Sequence, residues 1–283
     1  MLNKIEFETE EQYFAYKALS ASQIKQYATG GAYEFWKNSV FNPDFQPSTE
    51  TDALIFGKMA HCMLFEQSEF EKRFMVMDWG TKTRKTKKYE ETKLLYPDKI
   101  IVSPDEYQKA GKMLSCLMDN RLVREIVKDA YCETPICWTD EKTGLSCKCK
   151  IDAFKNTPYG LVVIDYKTSA DIDSLLHCAQ KYQYPIQACT YAQAVKEKYG
   201  RDVVEFVFII QSNKDGEEDK ICVANVDPDT QSYADGLTDY YKREIADKLK
   251  KWDETHDKNI WAAYPERMMM SYSDWYMKQG LPF

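Results

Sequence analysis

The 283-residue sequence has no apolar run near the ~20 residues that span a bilayer. It also has no Gly- or Ser-rich linker and no internal repeat. Its 10 Pro and 11 Gly are too few for a collagen-like or low-complexity chain. Met1 to Glu10 contains no apolar stretch of the signal-peptide kind. Cationic excess is missing as well: 38 Lys and Arg against 45 Asp and Glu give a net charge of −7. That balance argues against a protein that coats nucleic acid by bulk charge. It leaves room for a nucleic-acid enzyme whose acidic centre is masked by metal ions. Cysteine is absent before Cys62 and after Cys222, and the total of nine is odd. Without an export signal, free thiols in a reducing cytoplasm are the expectation. What the chain does have is core material: 44% hydrophobic and 14% aromatic residues, 20 of them Tyr, which excludes wholesale disorder. The length suits one large domain or two small ones.

Periodicity divides the chain near Tyr131. Before it, helical spacing dominates. Ser20-Ala21-Ser22 reads as an N-cap ahead of Gln23 to Ala28, closed by Gly30-Gly31, with a second segment from Ala32 to Ser39. A longer amphipathic helix is expected from about Thr51 to Phe65, and Asp105 to Met118 and Arg121 to Lys128 repeat the signal. After the divide, strands are expected at Tyr131 to Trp138, Leu145 to Phe154, Leu161 to Lys167, Val203 to Gln211 and Lys220 to Val226. Helices are expected at Tyr184 to Lys198 and about Asp229 to Trp252. The expected organisation is one domain over 1–283. A helical part covers 1–130, a sheet core 131–226 and C-terminal helices 227–283. The fold class is α/β.

Chemistry concentrates between Lys148 and Lys167. Asp152 ends the hairpin strand, and Asp165 follows the apolar run Leu161 to Ile164, with Lys167 two residues on. Alternate side chains of a strand share a face, so Asp165 and Lys167 project together, and Asp152 goes with Lys150 and Lys148. Neighbouring strands could then bring Asp152 and Asp165 together. Two carboxylates and a lysine suit a hard-cation site for phosphodiester hydrolysis. Other acid-x-Lys triplets, such as Glu91-Thr92-Lys93, lie in polar surroundings; only Asp165-Tyr166-Lys167 follows a buried strand. Taken alone, the three residues equally suit a structural ion pair at a sheet edge. On the next helix Gln187 and Tyr191, four apart, share a face. His61 in Gly57-Lys58-Met59-Ala60-His61 would, without context, be a core or boundary residue.

These elements occur in a telling order: Ser20-Ala-Ser-Gln-Ile, Gly57-Lys-Met-Ala-His61, Lys150-Ile-Asp152, Ile164-Asp165-Tyr-Lys167-Thr-Ser and Gln187-x-x-x-Tyr191. Together they resemble the PD-(D/E)xK nuclease superfamily, RecB-type branch, and within it the exodeoxyribonuclease VIII-like (RecE-like) proteins of phages and prophages. The resemblance implies a restriction-endonuclease-like core, a central mixed β-sheet flanked by helices, with N-terminal helical additions. It implies that Asp152 and Asp165 bind one or two Mg²⁺ or Mn²⁺ ions, with the Tyr166 carbonyl completing a metal shell. His61 would join the metal site or orient its water, and Lys167 would assist the attacking water. Gln187 and Tyr191 would hold Lys167 and the scissile phosphate. The triplet's acid is Asp rather than the commoner Glu, a variant that also occurs in the RecB-type branch. The implied function is a metal-dependent DNA exonuclease acting on double-stranded ends in recombination or repair. A single-strand annealing partner and a homo-oligomer are implied too, with no membrane role. An endonuclease of the structure-specific or spacer-acquisition type, and a non-catalytic binding member, are the alternatives.

Several residues fall outside these motifs. Glu133 could face the site from behind the metal ligands, with pairing to a hairpin lysine favoured. Asp171 and Asp173 are read as helix caps. The cysteine placement does not suit the iron–sulfur cluster of some RecB-type relatives, so none is expected. Cys132 and Cys137, five apart, point to opposite faces, against one zinc centre with Cys147 and Cys149. Lys82, Arg84, Lys85, Lys87 and Lys88 crowd one short stretch, read as a flexible phosphate-gripping loop, with Trp79 or Tyr89 available to stack on a frayed base. The aromatic cluster Trp261, Tyr264, Tyr272, Trp275, Tyr276 and Phe283 is read as core or subunit contact.

Overall fold

The computed structural model describes residue 7 and residues 10–47, 49–81, 83–177 and 179–264. The helical part holds α1 (Glu10–Ala15), the two-residue strand β1 (Leu19–Ser20), α2 (Ala21–Lys37), α3 (Asp52–Phe65), α4 (Phe70–Arg73), β2 (Phe74–Val76), α5 (Lys87–Leu95), β3 (Ile100–Val102), α6 (Pro104–Asp119) and α7 (Arg121–Val127). Three strands follow, β4 (Tyr131–Thr139), β5 (Ser146–Asn156) and β6 (Leu161–Ser169). Then come α8 (Ile172–His177), α9 (Ala179–Tyr182), α10 (Tyr184–Tyr199), β7 (Val203–Ser212), β8 (Ile221–Asn225) and α11 (Pro228–Thr255). No described helix is long and apolar enough to cross a membrane.

Local chemistry sets the element ends. A reciprocal box starts α2: the Gln23 amide donates to Ser20 Oγ at 3.4 Å, and the Ser20 amide donates to Gln23 Oε1 at 2.9 Å. Gly31 takes φ 71° and divides α2 into two helical runs, at the Gly-Gly pair where the sequence places the break. Thr51 caps α3 by accepting from the Leu54 amide at 3.2 Å. Pro185 sits in the first turn of α10, and Gly200 at φ 64° closes it.

The six-stranded sheet is mixed, and its branching positions the site. One edge of β5 pairs antiparallel with β4, from Tyr131↔Phe154 to Thr139↔Ser146. The other edge is shared. β1 takes Cys147 and Lys148 in parallel, and β6 takes Ala153 to Asn156 in antiparallel. The sheet forks between those two partners, and Asp152 stands at the fork. β6 continues parallel to β7, and β7 antiparallel to β8.

Helices cover both faces, giving two cores. One gathers Ile24, Phe35, Val163, Phe208 and Ile245; the other gathers Ile55, Met59, Met113, Ile164 and Ile209. The alternation Phe206, Phe208, Ile210 against Val207, Ile209 in β7 divides cleanly between them. β5 does not keep that alternation. Cys147, Cys149 and Ile151 pack in the first core, but Ala153 packs in the second. The strand therefore rotates at Asp152. Across from it, Glu133 takes φ 51°, a left-handed conformation uncommon for a residue with a side chain.

Candidate active site

Three acids line up across three strands at the fork. Glu133 falls between the pairs Cys132↔Ala153 and Thr134↔Ile151, which sets it opposite Asp152. Asp152 is also one step beyond the pair Ala153↔Ile164, which sets it abreast of Asp165. Like charges on directly opposed strand residues repel, so the arrangement needs cations. Three protein cations supply part of that. His61, from α3, bridges two acids: Nδ1 is 2.9 Å from Glu133 Oε1 and Nε2 is 3.0 Å from Asp152 Oδ2. Lys150 pairs with Glu133 Oε2. Lys167 Nζ lies 2.6 Å from Asp165 Oδ2. The Tyr166 amide donates to Asp152 Oδ2 at 3.0 Å, locking the two strands where they part.

Behind the acids is a second row. Gln187 of α10 donates through Nε2 to Asp165 Oδ1 at 2.5 Å and accepts at Oε1 from Lys25 Nζ at 3.0 Å. The lysine fixes which way the amide faces, since only the oxygen can meet an ammonium. Gln187 thus holds Asp165, not Lys167 as expected from the sequence. Lys25 is a site residue that sequence reasoning missed; its place directly after Ser20-Ala-Ser-Gln-Ile is the one signal that points to it. Glu66 and Arg73, paired at 2.6 Å, were missed as well. Both line the cleft, of about 430 Å³, together with His61, Glu133, Lys150, Asp152 and Lys167.

Burial and charge pull these groups apart. Burial pushes Asp165 up to about 6, against the pull of Lys167 and with a further push from Asp152. Burial acts on Asp152 too, but His61, Lys167 and the Tyr166 amide outweigh it and hold that carboxyl below its ordinary value. Burial opposes charge on His61, yet Asp152 and Glu133 raise it to about 10. Glu133 resists burial through His61 and Lys150 and stays low. Lys167 overcomes burial through Asp165 and Asp152 and is raised. Lys25 is lowered to about 8 by burial and by Lys167, with Asp165 opposing.

The donor set fits a hard divalent cation. Asp165 is fully buried, and its Oδ2 meets Lys167 as an ion pair but makes no aligned hydrogen bond. A buried carboxylate oxygen with spare lone pairs, beside a second carboxylate, is an oxygen-rich ligand pair. A different trio, His61, Glu66 and Glu133, also brings its ligand atoms within 4.8 Å of one another. That trio already has Arg73 on Glu66 and Lys150 on Glu133. Glu133 Oε1, like Asp165 Oδ2, is buried without an aligned hydrogen bond, and His61 touches the acids of both groups.

Other expected residues lie elsewhere or act otherwise. Tyr191 lines the cleft wall, near Phe206 at 6.0 Å, and burial pushes its phenol well above the usual value. Glu133 does pair with a hairpin lysine, Lys150, and touches His61 as well. Asp171 caps α8 by accepting from the Ser174 amide at 3.3 Å, whereas Asp173 pairs with Lys220. The basic stretch is not a free loop. Arg84 turns inward to Asp52 at 2.7 Å and Glu106 at 2.7 Å, under the Trp79 ring, and α5 begins at Lys87. Arg84 is thereby removed from the DNA-binding set. Trp79 and Tyr89 are buried against each other and Ile101, which withdraws them as base-stacking platforms. Lys85, Lys87 and Lys88 are exposed, and Lys82 lies outside the described residues. Trp261 stacks on Trp36 at 4.4 Å in the core, and Tyr264 is exposed; Tyr272, Trp275, Tyr276 and Phe283 lie outside the described residues. Every described cysteine is a free thiol, with Cys147 and Cys149 in the first core.

Similarity to known proteins agrees with this geometry. Residues 20–260 match the family model described as a PDDEXK-like domain of unknown function (DUF3799). No curated protein matches the sequence. Among solved structures, a "Putative exonuclease" from Eubacterium rectale aligns with a TM-score of 0.60 at 12% identity, covering 98% of this chain and 100% of that one. At that identity the likeness is one of fold, and it agrees with the mixed sheet flanked by helices. A crystal structure of SSO0001 aligns more weakly, with a TM-score of 0.30, 11% identity and coverage of 69% and 77%.

Proposed function

The chain belongs to this PDDEXK-like family, and from that premise we propose that it is a metal-dependent nuclease. It hydrolyses phosphodiester bonds of DNA, and it works from duplex ends as a RecE-like exonuclease. One observation carries the nuclease reading: Asp152 and Asp165 stand abreast at the sheet fork, with Lys167 on one and His61 on the other. The exonuclease reading is supported by the ordered motifs and by the name of the Eubacterium rectale neighbour. The whole chain is read as one nuclease domain, with an annealing protein as partner and a homo-oligomer as working form.

In this reading Asp152, Asp165 and the Tyr166 carbonyl hold Mg²⁺ or Mn²⁺, with His61 beside them. A divalent cation there supplies Lewis-acid stabilisation of phosphate charge and lowers the pKa of water. Lys167 keeps one contact on Asp165 while its side chain, 27% exposed, reaches the cleft. Its remaining hydrogens orient the attacking water or neutralise phosphoryl oxygens. Gln187 and Lys25 keep Asp165 from turning away. Glu133 and Lys150 keep His61 in place.

The test uses linear and closed circular duplex DNA with Mg²⁺ or with EDTA. The linear form should be degraded with Mg²⁺ only, and the circle should survive. Loss of the circle would move the protein to the endonuclease class. No metal-dependent loss of either form from wild type would sink the nuclease reading.

A further inference from the structure

A second cavity, of about 690 Å³, adjoins the cleft. Its walls come from α1, the start of α2, the segment 38–47 and the first half of β5 at Lys148 and Cys149. Tyr13, Phe14, Ser22 and Tyr191 line both spaces, so one partition separates them.

The two compartments differ in chemistry. The cleft is ionic. The cavity has one charged lining residue among those described, Lys148, and that charge is spent inward. Its ammonium donates to the carbonyls of Tyr13 at 2.7 Å, Phe14 at 3.0 Å and Tyr16 at 2.8 Å, using all three hydrogens. The cavity therefore has no cation for a phosphate. It offers aromatic and proline walls from Phe14, Phe45, Pro43 and Pro47, with amides at the rim. One amide group lacks a partner: Gln26 Oε1 is buried without a hydrogen bond. A buried acceptor of that kind is costly unless something donates to it.

Resting on the nuclease reading, we propose that this cavity receives one nucleobase of the strand whose phosphate lies in the cleft. A nucleotide has the same division as the two spaces. Its phosphate is anionic, while its base is neutral, planar and edged with N–H donors and carbonyl acceptors. Phe14, 52% exposed at the partition, offers a ring face, and the Gln26 amide in the cavity wall, on turning inward, brings its unpartnered Oε1 to a base N–H. A base can enter only after leaving its stack, so single-stranded or frayed ends are the favoured substrate.

The experiment measures kcat/KM of wild-type protein with Mg²⁺ on oligonucleotides carrying one abasic site, moved stepwise from the end. A drop of about tenfold at one position, with neighbours unaffected, is expected from loss of a single base–aromatic stack. Val40→Trp, which fills the cavity, should slow cleavage of intact DNA and erase the abasic effect. Gln26→Leu should shrink it and alter the preference among the four bases at that position. Thermal melts of both variants check folding, and Phe14→Ala gives an exposed-site variant if either fails. A flat abasic profile from an active wild type overturns the pocket and leaves the nuclease reading standing. Activity unaffected by Val40→Trp, or cavity occupancy by an apolar additive in preference to a base, overturns the pocket as well. Wild type inert on every DNA overturns both.

Discussion

Two aspartate–lysine pairs, each with a buried aspartate, contrast in a way that explains the site. Asp165 and Lys167 meet at 2.6 Å beside the cleft; Asp140 and Lys242 meet at 2.6 Å at the turn of the β4–β5 hairpin. Each pair touches a glutamine of the same helix, Gln187 or Gln193. The difference is saturation. Asp140 Oδ1 accepts from the Thr143 amide at 3.0 Å and its hydroxyl at 2.7 Å, while Lys242 is 1% exposed. Burial is overcome there, and Lys242 and Thr143 hold Asp140 below its usual value. Asp165 Oδ1 has a single donor, Gln187 Nε2, in place of two, and burial raises Asp165 to about 6. A sealed pair is architecture; an unsaturated pair facing a cleft is ready to take a cation or a substrate.

The sharpest way to break this contrast is to cross the two positions. Asp165→Asn keeps the shape and should lower DNA hydrolysis on the order of 10³-fold, the scale of losing one charge-stabilising group. Its melting temperature should not fall, because a buried charge beside Asp152 is removed. Asp140→Asn should do the reverse. It leaves Lys242 buried without a counter-charge, at a cost of about 3–5 kcal/mol in urea unfolding, while folded molecules keep their activity. Adding Lys242→Met should restore much of the loss. The pH sign follows from the lowered Asp140 carboxyl. Its contribution is present above the ordinary aspartate value and is lost as pH falls through the folded one, so the acid limb of stability should flatten in Asp140→Asn. A silent Asp140→Asn, or an Asp165→Asn that unfolds, would erase the distinction.

A smaller effect should come from the row behind Asp165. Lys25→Met frees the Gln187 amide to turn and is expected to cost about 10- to 100-fold in activity or metal affinity, the usual size for a group that orients a ligand. Lys25→Arg should recover part of it. Mn²⁺ titration separates the two roles, since a lysine that only packs would leave metal affinity unchanged.

Much of this was legible in the chain. The capped helix start at Ser20, the helix from about Thr51, the apolar strand before Asp165 and the β4–β5 hairpin all follow from local rules, although β5 runs past Asp152 to Asn156. So did the co-location of Asp165 and Lys167, because two residues apart in a strand means one face. The fork was not legible. It arises because β1, only two residues long, takes Cys147 and Lys148 on one edge of β5, and such a pairing leaves no periodic trace. The rotation at Asp152 and the left-handed Glu133 are likewise products of tertiary packing. The basic stretch misled for a related reason. Charge density is visible in sequence, but the partners of Arg84 lie 32 and 22 residues away.

That stretch carries the smallest and most divisible prediction. Arg84 anchors it to Asp52, at the start of the same helix that bears His61, so the exposed Lys85, Lys87 and Lys88 are displayed from a fixed support. Neutralising those three lysines should lower the slope of log K against log salt by up to about 0.9 for each duplex phosphate that they would otherwise neutralise. Arg84→Ala should instead loosen the support, lowering the melting temperature and leaving the slope of the folded fraction nearer wild type. Binding is best measured with Asp165→Asn and Ca²⁺, so that DNA survives the titration. If removal of the three lysines leaves the slope unchanged, they are solvated surface, and the DNA path must be sought along the lysines of the cleft itself. If Arg84→Ala flattens the slope while stability holds, the inward pairing gives way on DNA and the arginine rejoins the DNA-binding set.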